Sequence, residues 1–187
     1  MKKILLSLMA LGTLSLMAFT KIEDKYVSQK SHIKFHSSTP LEDIEANNYK
    51  AVSTVDASTG NVVFSVPMQS FEFEKALMQE HFNGKNFLST KKNPKAKLIG
   101  KITNLGEVDF TKDGTYNGSF SGEMTIKGET QPITADGKIT VKEGAFSLES
   151  TFDLTLTDYG IAFKKGKPST NVAKTIEVTL IAEYAKQ

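Results

Sequence analysis

The chain predicts an all-β protein. Eight antiparallel strands follow one another as a meander able to close into a barrel, with one helical insertion after the third strand. Three observations carry this. Apolar and polar residues alternate along most of residues 26–185, the period of strands with one face turned inward. Turn signals rich in Gly, Asp, Asn and Pro recur at short spacing between the alternating runs, which favours antiparallel neighbours. A single stretch, Ser70–Gly84, changes to a helical period.

The elements run as follows. Tyr26–His36 is the first strand, with Ile33 and Phe35 alternating against His32, Lys34 and His36, and Ser37-Ser38-Thr39-Pro40 breaks it. Leu41–Asn48 is acidic and reads as a loop or a short turn of helix. Tyr49–Ala57 and Asn61–Met68 form a hairpin about the turn Asp56-Ala57-Ser58-Thr59-Gly60. Val62, Phe64, Val66 and Met68 share one face of its second arm. In Ser70–Gly84, Ser70 is the expected N-cap, and Glu72 and Glu74 sit in the first turn, where the helix dipole favours negative charge. Phe73, Leu77 and His81 fall at i, i+4 and i+8, with Met78 and Phe82 beside them, so one face is bulky and apolar. Asn83-Gly84 ends the helix.

Lys97–Asp109 is the fourth strand, with Leu98, Gly100 and Ile102 on one face, and Lys112-Asp113-Gly114 turns the chain. Thr115–Lys127 alternates most cleanly, with Tyr116, Gly118, Phe120, Gly122, Met124 and Ile126 facing one way. Its two central glycines allow curvature or leave room inside. After a turn at Gly128–Pro132, Ile133–Val141 is the sixth strand. Glu143-Gly144 turns into the seventh, Ala145–Thr157, with Phe146, Leu148, Phe152, Leu154 and Leu156 on one face. A loop rich in Lys, Gly and Pro begins at Asp158, and Ala173–Ala185 is the last strand.

Eight strands can close around a filled middle or around one small ligand, and alternation alone leaves both open. A greasy lining broken by glycine suits a cavity. The candidate lining residues are Phe64, Val66, Phe73, Leu77, Met78, Phe82, Tyr116, Phe120, Met124, Phe146, Phe152 and Leu154. His81, on the apolar helix face, is placed either to hydrogen-bond a ligand head group or to sit in the core.

Composition narrows the function classes. Lys2 and Lys3 precede an uncharged apolar run, Ile4–Phe19, the pattern of a secretory signal peptide, with cleavage expected after Thr20 and, as alternatives, cleavage after Ala18 or an uncleaved anchor. That leaves a domain of residues 21–187, periplasmic or secreted, with no membrane span after cleavage. No Cys is present, so lipid attachment through a Cys and a disulfide framework are both excluded. All 23 basic residues are Lys, and removal of Lys2 and Lys3 leaves 21 against 21 acidic residues. A neutral domain without guanidinium forks is a poor fit to nucleic acid.

Catalytic and cofactor signals are weak. No Gly-x-Ser-x-Gly elbow or His-Glu-x-x-His occurs. Glu80 and His81 are adjacent on the helix and point in different directions, and Ser70 and Ser89 lack an evident base. His32 and His36 share a strand face, where a polar outer surface is the expected setting rather than a metal site. Lys75 and Lys85 flank the helix, where they could neutralise a phosphate or simply face solvent. The expectation is a non-enzymatic protein without cofactor or metal.

Several segments together resemble the YceI family of exported lipid-binding proteins. They are Ser31-His32-Ile33-Lys34-Phe35, Gly60–Pro67, Ser70-Phe71 leading to Glu80-His81-Phe82, Asn93–Leu98, Gly122–Ile133 and Asp158-Tyr159-Gly160-Ile161. The resemblance implies a lipocalin-like barrel that binds a polyisoprenoid or similar amphiphile, such as a fatty-acyl lipid; a homodimer stays open. Where many members carry Arg-Asp before a His-Leu pair, Met78-Gln79 stand in that register, Phe82 replaces the Leu, and Lys127 stands where a His is common. The missing Arg puts any charged contact to a head group in doubt and points to a less anionic ligand. The reading is therefore a carrier of one long apolar lipid. Its alternatives are a filled barrel that binds a protein partner and a lipid amide or ester hydrolase.

Overall fold

The computed structural model describes residues 24–161, 163–164, 167–168 and 170–186. Residues 1–20, expected to be a leader, and the cleavage expected after Thr20 lie outside the described residues. The strands are β1 (Lys25–Ser38), β2 (Asp43–Asn48), β3 (Val52–Asp56), β4 (Asn61–Pro67), β5 (Phe71–Phe73) and β6 (Lys95–Ile102). They continue with β7 (Gly114–Ile126), β8 (Glu129–Lys142), β9 (Ala145–Thr155), β10 (Phe163–Lys164), β11 (Lys167–Pro168) and β12 (Thr175–Lys186). The α-helix, α1, spans Ala76–Asn83.

Eight strands close the barrel in the order β1, β3, β4, β6, β7, β8, β9, β12, each antiparallel to the next. β12 pairs back onto β1 from Tyr26↔Lys186 to His36↔Glu177. Closure leaves no edge strand around most of the circumference. Two-residue hairpins set the register of β7–β8 and β8–β9. Lys127-Gly128 and Glu143-Gly144 all take positive φ, as a turn matching strand twist requires.

β1 serves two partners along one edge. Lys25–Val27 pair with β3, and Ile33–Ser38 pair with β2. β5 then adds to β2, with Phe71 opposite Asn48 and Phe73 opposite Ala46. The β3–β4 hairpin is thus prolonged by a β2–β5 flap that does not pair with β6. The connection from β5 to β6, which includes α1, crosses that end of the barrel.

The β8–β9 pairing covers only Gly137–Lys142 against Ala145–Ser150. Beyond it Glu129–Asp136 are bonded to β7 and Thr151–Thr155 to β12, but not to each other. Pro132, which has no N–H to donate, sits on this freed stretch. The seam is bridged at its far end by Gln131 Nε2 donating to the Asp158 carbonyl at 2.9 Å and Lys127 Nζ donating to the Gly160 carbonyl at 2.8 Å.

The end of the barrel away from α1 is packed solid. Phe146 contacts Tyr26 and Phe110 edge-on at 5.0 Å each and stacks on Tyr184 at 4.5 Å. Val55, Ile139 and Val141 are buried with them. The Tyr184 hydroxyl lies 2.6 Å from Ser53 Oγ, and burial pushes its pKa well above the ordinary phenol value.

Four expectations are corrected. Leu41–Asn48 is not a loop; Asp43–Asn48 form β2, with Ile44, Ala46 and Asn48 turned inward. Ser70 is not a helix cap. Met68–Ser70 form a 3-10 turn, Phe71–Phe73 become a strand because β2 offers them an open edge, and α1 starts only at Ala76. Tertiary pairing here overrides local propensity. The fourth strand stops at Ile102, because Asn104 bends the chain by donating to the Asn117 carbonyl at 3.0 Å and accepting from Ser119 N–H at 2.8 Å. The turn expected at Gly128–Pro132 is two residues long, and Glu129–Pro132 belong to β8.

Candidate functional site

Between the packed end and α1 the barrel is hollow. The cavity has a volume of about 1160 Å³. That exceeds the upper end, about 1,000 Å³, of pockets that hold drug-sized molecules. Its walls are apolar because strand alternation sends one side chain in two inward. β1 contributes Ile33 and Phe35, β4 Phe64 and Val66, and β6 Ala96 and Leu98. β9 adds Phe152 and Leu154, and β12 adds Ile176, Val178 and Leu180.

At the α1 end five phenylalanines form a continuous wall. Phe82 of α1 lies 5.0 Å from Phe73, 5.5 Å from Phe71, 5.9 Å from Phe35 and 6.2 Å from Phe87. Phe82 is buried and anchors the helix, whereas Leu77 is 62% exposed at its outer side. The turn after the helix is held in place by Asn93, whose amide donates to the Leu88 carbonyl at 2.9 Å, and by Thr90 Oγ1 donating to Asn83 Oδ1 at 2.8 Å.

Polar groups gather at the rim. Glu42, Lys75, Glu80, His81, Lys85 and Asn86 all border the cavity. His81 is exposed and makes no side-chain hydrogen bond among the described residues, so it is not a satisfied core histidine. Lys75 and Lys85 are exposed as well. Inside, the polar Ser37 is quenched by accepting from the Ala173 N–H at 2.9 Å.

Ten of the thirteen residues picked from sequence border this one cavity: Phe64, Val66, Phe73, Leu77, Met78, His81, Phe82, Met124, Phe152 and Leu154. Three do not. Phe146 fills the packed end. Tyr116 points to that end too, its hydroxyl donating to the Lys112 carbonyl at 2.9 Å. Phe120 lies over the facing glycines of β6 and β7, where a Cβ on Gly100 or Gly122 would come within 2.5 or 2.8 Å of its ring. Those glycines therefore make room for a protein ring rather than for a guest. Phe120 and Phe152 also border a shallower groove of about 510 Å³ at the start of the β8–β9 seam.

The lining residues not picked out from sequence are of two kinds. Phe35, Leu98, Ile176, Val178 and Leu180 were on recognisable inward faces, and only their height in the barrel was hidden. Phe87 and Leu88 lie on irregular chain without periodicity, and Phe71 lies on β5, a strand hidden within the stretch that reads as helix. His32 and His36 lie away from the cavity. His32 Nε2 is 2.8 Å from Asn47 Oδ1 and its ring stacks on Tyr49, and His36 pairs with Asp43 at 2.6 Å. No helix among the described residues is long and apolar enough to cross a membrane.

Comparison with known proteins fits this geometry. A model of the YceI-like domain matches residues 25–184. A UPF0312 protein of Shewanella denitrificans is 28% identical over 139 residues, 70% of this chain, and the match spans 65% of that relative's length. A polyisoprenoid-binding domain from Saccharophagus degradans, implicated in plant cell wall breakdown, superposes with a TM-score of 0.72 at 11% identity, covering 87% of this chain and 98% of its own. BcnA of Burkholderia cenocepacia gives a TM-score of 0.66 at 16% identity, with coverages of 82% and 95%. The YceI protein of Campylobacter jejuni gives 0.57 at 19%, with coverages of 75% and 81%. At these identities the three structures share the fold.

Proposed function

This chain belongs to the family of YceI-like domains, and from that membership and the half-hollow barrel we propose that it is an exported carrier of one long-chain apolar lipid, of polyisoprenoid or fatty-acyl type. The observation that carries the reading is the cavity of about 1160 Å³ walled by Phe, Leu, Ile, Val and Met, with its charged groups at the rim and the inner Ser37 hydroxyl already bonded to the Ala173 N–H. Such a lining offers a guest few hydrogen bonds along its length. It rewards a chain that is apolar throughout and polar at one end.

The magnitudes support this. Each buried methylene contributes about 0.8 kcal/mol, so ten of them contribute roughly 8 kcal/mol before ordering costs. No charged contact is needed, which fits a helix that lacks the family's Arg. The apolar leader at residues 4–19 supports export. Among the candidate residues, Phe73, Leu77, Met78 and Phe82 would cover the chain's outer end, and His81 would meet the head group.

The test is mass spectrometry of organic extracts from the purified protein, followed by uptake of a polyprenol and of a fatty amide delivered from ethanol. One lipid per chain is the expected result. Empty extracts together with no uptake of either would exclude the carrier reading and favour a barrel that acts through its outer surface.

A further inference from the structure

The cavity rim is electrically lopsided. From His81 to Gly106 the sequence has no Asp or Glu and has six Lys. Five of these, Lys85, Lys91, Lys92, Lys95 and Lys97, lie between the end of α1 and the first residues of β6, at the open end of the barrel, and all five are exposed. None is ion-paired among the described residues, whereas Lys30, Lys34 and Lys186 elsewhere each meet a carboxylate. Glu72, Glu74, Lys75 and Glu80 precede this stretch and Glu42 also borders the rim, so positive charge without intervening carboxylates is concentrated on one arc. Two large apolar side chains stand out at the same end: Leu77 on α1 is 62% exposed, and Leu41, beside the rim residue Glu42, is 68% exposed.

We infer that this end of the barrel docks on an anionic lipid surface, the lysine arc contacting head groups and Leu41 and Leu77 entering the interface. Charge complementarity selects the partner. Unpaired lysines on a surface segment are attracted to a negative bilayer and lose little by approaching it, because no internal ion pair is broken. Exposed leucines next to them are stabilised at the head-group boundary, as in interfacial helices that combine a basic and an apolar face. The docked end is the one with the cavity mouth, so a lipid would pass between bilayer and barrel without crossing water. The inference goes beyond the carrier reading, and its test reads separately from it.

The experiment is co-sedimentation of the protein with vesicles of phosphatidylcholine alone or of equal parts phosphatidylcholine and phosphatidylglycerol, at low and high salt. The expected result is binding to the anionic vesicles only, reversed by salt. Each lysine near the surface is worth about fivefold in affinity, so Lys91→Glu, Lys92→Glu and Lys95→Glu together should weaken binding at least a hundredfold. Leu41→Asp should weaken it several-fold. These four residues do not border the cavity, so uptake of a polyprenol from ethanol should be unchanged in both variants. Equal binding to both vesicle types, no binding to either, or undiminished binding of the triple variant overturns the inference. Lysine-dependent binding to anionic vesicles in a protein that takes up no lipid keeps the docking surface and removes the carrier reading.

Discussion

Single residues decide how the packed end holds together. Tyr184 and Ser53 are both buried, and each hydroxyl satisfies the other over the intervening strand β1 at 2.6 Å. Removing one partner strands the other, at a cost of about 1–3 kcal/mol, while removing both leaves nothing unsatisfied. Ser53→Ala and Tyr184→Phe should therefore each destabilise by that amount in urea titrations, and the double variant should lose less than their sum. The same burial gives a pH signature. The Tyr184 phenol is raised above its ordinary value of 10.0, so its contribution is complete below pH 10 and is lost as pH rises past it. Asp56 has the opposite sign. Its carboxylate, accepting from Ser58 Oγ at 2.6 Å and from the Ser58 N–H at 2.9 Å, is held at about 2 against an ordinary 3.8. That contribution is present above pH 3.8 and fades as pH falls toward 2, and it is small because solvent still reaches and screens the half-buried carboxylate. Thermal melts across pH should decline at both limits, and Tyr184→Phe should flatten the alkaline limb. Asn48 shows what sequence hides at this scale. Its amide donates to the Pro67 carbonyl at 2.8 Å and its oxygen accepts from Lys50 N–H at 2.9 Å, a fully buried polar residue doing the work of a strand break. Nothing local distinguishes it from a loop asparagine.

Among the elements, the long strands were legible because period-2 alternation survives burial of one face. The short ones were not. β5 exists because β2 offers an edge, and β2 could be recognised only from Ile44 and Ala46 alternating within an acidic run. α1 was legible in kind but not in its start, since Phe73 has a helical spacing to Leu77 and yet pairs in a strand. The helix that remains has eight residues, and its N-cap, Lys75, has extended backbone and no capping hydrogen bond. Lys75→Ser supplies that bond, and the variant should be more stable by about 1 kcal/mol in urea titrations. The β8–β9 seam makes a second expectation. In hydrogen-exchange measurements, the amides of Glu129–Asp136 and Thr151–Thr155 that are not bonded to β7 or β12 should exchange faster than those within the paired Gly137–Lys142 and Ala145–Ser150. Uniform protection along both strands would mean the seam is closed in solution.

The whole molecule is a barrel filled at one end and empty at the other. Alternation tells which side chains point inward, but the height of each depends on strand register and tilt, which alternation does not encode. That is why Phe146 and Phe152, on the same face of the same strand, have different roles. Phe146 is packed among aromatic rings, and Phe146→Ala should cost about 3–5 kcal/mol through a new cavity. Phe152 already faces open space and is only half-buried, so Phe152→Ala should cost about 1 kcal/mol. With a lipid present the order of effects changes. A guest that binds only the folded chain raises stability by about 2.7 kcal/mol at a hundredfold excess over its dissociation constant. Phe152→Ala removes wall from the guest's path and should reduce that gain, whereas Phe146→Ala, remote from the cavity, should leave it intact. Melting each variant with and without a polyprenol separates the two ends. Equal loss of the ligand-induced shift in both would show that the barrel interior responds as a unit and that the division into a packed end and a hollow end has no energetic meaning.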